Sequence, residues 1–178
     1  MNVMAKERPA GKESEELRNR RAELLASRIE EGAAGLAAFA AQLSEEDWRT
    51  PISASDGRSV GVVVHHVASM YPVEIQVAQT VAGGKPVTDV TWEVVNELNG
   101  KHAREQSEVT KSEALALLQK NSREAAAVVR AFTDDQLDTA APFSLSYGAP
   151  ITAQFVIEDH ALRHSWHHLA RIRKALGR

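Results

Sequence analysis

Apolar residues recur at threes, fours and sevens from about Glu15 to Leu43: Leu17, Leu24, Leu25, Ile29, Leu36, Phe39 and Leu43. That spacing lays them along one stripe of a helix. Ahead of it, Met1 to about Ser14 mixes charge with Pro9 and Gly11 and has no period, so it reads as a flexible tail before a single domain over 15–178. Ser44-Glu45-Glu46-Asp47 has the form of an N-cap with acids in the first turn, and Pro51 to Arg58 reads as a loop. A second long helix starts near Ser59 and ends at Ala82, before Gly83-Gly84-Lys85-Pro86, with a kink expected at Pro72. Its valines suit a strand, but some twenty residues without a turn signal exceed strand lengths. A short polar helix is expected over Asp89 to about Glu108. Thr110-Lys111-Ser112-Glu113 caps the next, which runs to about Phe132. Ala141 to Pro150 reads as a loop that delivers a last helix from about Thr152 to Leu176.

Four long helices and a shorter one in 178 residues imply an all-α fold, a helix bundle with room for a site between facing helices. The net charge of −3 lacks the basic excess of a phosphate-backbone binder, so no nucleic acid is expected as a partner. No run approaches the ~18 apolar residues of a membrane span, and the N-terminal segment has no signal-peptide core, so a cytoplasmic protein with no membrane partner is expected. With no cysteine in the chain, disulfides, thiolate ligands and a protein sulfur nucleophile are all excluded.

Candidate chemistry sits in His160-Ala-Leu-Arg-His164-Ser-Trp-His167-His168, which holds four of the seven histidines. At 100° per residue from His160, His164 falls at roughly 40° and His168 at roughly 80°, on the side of the apolar stripe Ala161, Leu162, Leu169, Ile172 and Leu176; His167 falls at roughly −20°, further out. On the second long helix His66 lies with Met70, Val73 and Val77, whereas His65 lies on the polar side with Ser69 and Gln76. Imidazoles at i and i+4 share a face and can reach one cation. Spacing alone leaves the choice even, since chance gives roughly 0.3 such pairs here, and the same residues serve equally as hydrogen-bonded helix histidines.

The segments Arg58-Ser59-Val60-Gly61-Val62-Val63-Val64-His65-His66 and Arg163-His164-Ser165-Trp166-His167-His168-Leu169 resemble the two histidine motifs of the DinB-like family. The resemblance covers about Leu17 to Leu176 and implies a DinB-like four-helix bundle with a metal held by His66, His164 and His168. Two positions depart from the family pattern: Arg58 stands where Trp is usual, and Arg171 where Gln is often found. The family implies a metal-dependent transferase or hydrolase acting on a small-molecule substrate, in some members with a low-molecular-weight thiol cosubstrate, and a homodimer.

Three neutral nitrogen ligands leave a divalent ion charged and with open positions, where a water or substrate thiol loses its proton more readily. Zinc and nickel both suit imidazole. Glu158, Asp159 and Glu74 are the nearby acids. Glu74, on an apolar stripe, is expected to pair with an arginine of a neighbouring helix, or else to orient a ligand or move a proton. His160 and His65 read as outer groups and His102 as a surface residue. Trp166 and Phe155 fall together off the main stripe, which suggests a covered second face such as a dimer contact; Trp92 also reads as packing. The alternative to an enzyme is a non-catalytic metal or small-ligand binding module on the same bundle.

Overall fold

The computed structural model describes residues 20–178, so the tail expected over Met1 to Ser14 lies outside the described residues. Helix α1 covers Arg20–Ala41, α2 Glu45–Arg49, α3 Val60–Ala82, α4 Trp92–Glu105, α5 Lys111–Arg130 and α6 Asp134–Asp138. Strands β1, Ala140–Pro142, and β2, Pro150–Thr152, precede α7, Ala153–Val156, a π-helical segment, Ile157–Leu162, and α8, Arg163–Ala175. The starts are chemical: Ser44, Ser59, Thr91, Thr110, Thr133 and Thr152 each accept the backbone N–H three residues on. Each thereby satisfies one of a helix's unpaired first-turn donors.

Four rods form a ring. Helix α1 packs against α5 and α8, and α3 packs against α5 and against the π segment and α8. The faces between them carry the core, including Ile29, Leu36, Val63, Val67, Leu118 and Ile172. This is the all-α four-helix bundle that the periodicity predicts, with α3 beside the last helix. Helix α4 lies outside the ring and buries none of its residues.

Three elements differ from expectation. The loop over Ala141 to Pro150 contains a two-stranded antiparallel sheet, with Ala141 opposite Ile151, whose three-residue strands are too short to show a period. Helix α6 was announced by its own capping box, Thr133 with Gln136. The last helix is interrupted by six π residues, so a wheel at a constant angle does not carry through it.

Helix α3 runs unbroken through Pro72. A proline offers no N–H to the carbonyl four residues back. The Asn121 amide of α5 fills that role, donating to the Ala68 oxygen at 2.9 Å inside the core. Asn121→Leu is expected to destabilise the fold by about 1–3 kcal/mol, because it leaves a buried acceptor bare. The loss should shrink in a Pro72→Ala background, where Ala68 regains a backbone donor. Denaturant unfolding of the four proteins in this cycle measures the coupling.

Candidate metal centre

The hydroxyls of Tyr71 and Ser165, both fully buried and 2.7 Å apart, fix α3 against α8 beside the histidines. His66 from α3 and His164 and His168 from α8 converge there. One ring nitrogen from each lies within 4.8 Å of the others. Their ring centroids are 5.0 Å apart for His66 and His164, 5.7 Å for His66 and His168 and 4.8 Å for His164 and His168. The wheel's inward choice on each helix is the set that meets, and His167 on the adjacent position is exposed.

Burial makes these rings ligands rather than cations. It pushes His66 down to about 3 and His168 to about 2, with the neighbouring His164 ring adding to the effect in both. Both are therefore neutral near pH 7, the form in which an imidazole nitrogen donates to a metal. His168 Nδ1 is buried without a hydrogen-bond partner. Such an orphan is rare in a folded core.

Behind the cluster stands Glu74, also buried. Its Oε1 lies 2.7 Å from His164 Nδ1. The contact is short but off the direction of a ring N–H, so neither His164 Nδ1 nor Glu74 Oε2 has a hydrogen bond. Among the described residues Glu74 has no arginine partner, and it faces one of the three histidines instead. With Nδ1 facing the carboxylate, His164 has its other ring nitrogen free for the cluster, the carboxylate–histidine arrangement common behind metal ligands.

The chain matches the model of the DinB superfamily over residues 28–172, a stretch that includes all three histidines. It belongs to the DinB superfamily. Among solved structures it is similar to YfiT from Bacillus subtilis, described as "a probable metal-dependent hydrolase with an unusual four-helix bundle topology". That likeness has a TM-score of 0.59 at 19% identity, covers 98% of this chain and 91% of the other, and bears on the fold. No curated protein matches the chain.

The two departures from the DinB-like pattern meet each other. Arg58 holds Asp56 through Nε at 2.8 Å and Nη2 at 2.7 Å, and Arg171 reaches the same carboxylate at 2.9 Å. The Arg58 hydrogen bonds, with help from Arg171, hold Asp56 well below the usual carboxylate range despite burial. One acid thus ties the loop before α3 to the end of α8 with a net positive charge.

His65 and His102 also differ from the surface reading. His65 Nδ1 and His102 Nε2 are 2.9 Å apart, one ring donating and the other accepting, and this pair links α4 to α3. His102 further sets its edge against His66, at 5.5 Å between centroids. Nothing in the local sequence pairs residues 37 apart. Glu158 is engaged by the Gln154 amide at 2.9 Å, and Asp159 pairs with Arg163 at 3.2 Å. His160 lies edge-on to Phe143.

This DinB-superfamily chain has a cavity of about 300 Å³ against the cluster. The three histidines and Glu74 line one side. Met70, Val73 and Val77 of α3, Trp92 and Val95 at α4, and Phe143 and Leu145 after β1 supply the apolar wall. The small sheet positions that wall: the Val87 N–H donates to Pro142 O at 2.9 Å, and Ser144 Oγ donates to Val90 O.

Proposed function

We propose that the chain is a metal-dependent hydrolase of a small acyl compound, with His66, His164 and His168 as ligands of a divalent cation, zinc or nickel. The observation that carries the reading is the convergence of three rings, two buried and one, His164, partly buried, backed by Glu74. A cation drawing one nitrogen from each ring gives the buried imidazoles the partner that the protein does not. Three ligands leave a position open, and a divalent ion there lowers the pKa of a bound water and polarises a carbonyl.

The protein's own groups supply the rest. Glu74, buried behind His164, would hold that ring in one orientation. In hydrolysis the water oxygen bonds to the acyl carbon, the bond to the leaving group breaks, and the proton released by the water ends on the leaving group. A cavity of about 300 Å³ is at the lower end for small-molecule sites and suits one small substrate. Transfer chemistry on the same residues would need a thiol brought in, since the chain has no cysteine.

The test starts with metal analysis of protein purified without added metal or a His tag. A panel of esters and amides is then assayed with and without chelator. Hydrolysis that chelator stops and zinc or nickel restores supports the enzyme; tight metal binding with no turnover of any substrate supports the binding module instead. Glu74→Gln is expected to weaken metal binding by about 10–100-fold and to lower turnover of the loaded protein further.

We also propose that two copies associate through the half-exposed Trp166 and Phe155, each 47% exposed. The π segment offsets the two by about one residue's turn of 100°; Trp166 lies over Gly32 of α1. A monomer in sedimentation at micromolar concentration would overturn this.

A further inference from the structure

The geometry points to an acyl substrate with a short aliphatic chain, the chain lying between α3 and α4 and the carbonyl at the histidine cluster. This inference rests on the hydrolase reading of the same site and adds the chemistry of the group recognised.

Two independent observations carry it. First, the cavity is of mixed character: Val73, Val77, Val95 and Leu145 line it together with His164 and Glu74. Val73 is 49% exposed, and Trp92 is 56% exposed at the same mouth. Apolar surface gathered around one concave site is what an apolar ligand covers. Second, α4 buries no residue, yet Trp92 and Val95, which sit at its start, line the cavity. A helix of 14 residues gains little from propensity alone and depends on an apolar face finding a partner. The occupant of the cavity is that partner.

Two probe series separate this inference from the metal reading. On zinc-loaded protein, alkyl hydroxamates from acetyl to octanoyl are titrated by calorimetry. Affinity is expected to rise about fourfold for each methylene that becomes buried and then to level off once the cavity is full. Val73→Asp should flatten that rise, whereas Leu24→Asp, at an exposed position on α1 outside the cavity, should preserve it. On metal-free protein, acetamide and hexanamide have no chelating group and read the wall alone. Hexanamide, and not acetamide, is expected to slow amide hydrogen exchange over 92–99. Equal affinity for all hydroxamate lengths, or a slope that survives Val73→Asp, overturns the chain-binding wall while leaving the metal site standing. Failure of every hydroxamate to bind, with hexanamide still protecting α4, overturns the metal reading and supports the wall; no effect from either series overturns both.

Discussion

His168→Ala and His66→Ala are each expected to abolish tight binding of a divalent cation, while His65→Ala and His167→Ala retain it. Removing one of three ligands leaves a two-point site, and neither neighbour can substitute. His167 is exposed on the next position of α8, and His65 is committed to His102 at 2.9 Å. Outer groups of this kind change affinity by about 10–100-fold rather than abolishing it. Stability provides a readout that needs no substrate. A metal bound by the folded state alone adds stability by mass action, roughly 2.7 kcal/mol at a free concentration of 100 times Kd. Chelator should therefore lower the Tm of the unaltered protein and leave that of His168→Ala nearly unchanged. Retention of metal by His168→Ala together with its loss in His167→Ala would shift the ligand set by one position and break the site.

Gly61→Val is expected to cost roughly 3 kcal/mol or more, combining overpacking with loss of a buried hydrogen bond. A Cβ on Gly61 would overlap Nε1 and Cε2 of the Trp48 indole, which lies flat on the α3 backbone. The indole is 4% exposed, and its Nε1 donates to the Val109 carbonyl at 3.0 Å, a bond that a shift of the ring would break. Trp48 thus joins α2, α3 and the entry to α5 through one ring, and glycine is the residue that lets the ring approach. Gly57, with nothing near the place of its Cβ, is the control: Gly57→Ala should be close to neutral. Urea midpoints at unchanged slope measure both.

Helix positions were readable because periodicity and caps speak locally. Ser59 and Ala82 bound α3 as the capping serine and the Gly83-Gly84 pair indicate, and the Thr110–Glu113 box opens α5. The convergence of His66 with His164 and His168 was readable because each ring sits on the inward side of a long helix, and bundle geometry does the rest. What could not be read depends on contacts distant in sequence. Glu74 shows an acid on an apolar stripe, but its histidine partner comes from 90 residues further on. Arg58 and Arg171 look like two separate oddities until Asp56 binds both. His65 and His102 each resemble surface groups because their only partners are each other and a third element's packing. The interruption of the last helix at Ile157–Leu162 was illegible for a different reason: a π turn leaves no mark in hydrophobic spacing.

That π turn, Ile157–Leu162, gives the chain two independent phases. It accommodates about one more residue than an α turn, so everything after it is rotated by about 100° relative to an uninterrupted helix. The residues before it are anchored by the Thr152 cap and the small sheet, and those after it by Tyr71 to Ser165. Because each flank is held by its own anchor, the segment works as a length buffer: loss of one residue here would be absorbed by a return to α geometry, with Ser165 still against Tyr71 and His164 and His168 still turned toward His66.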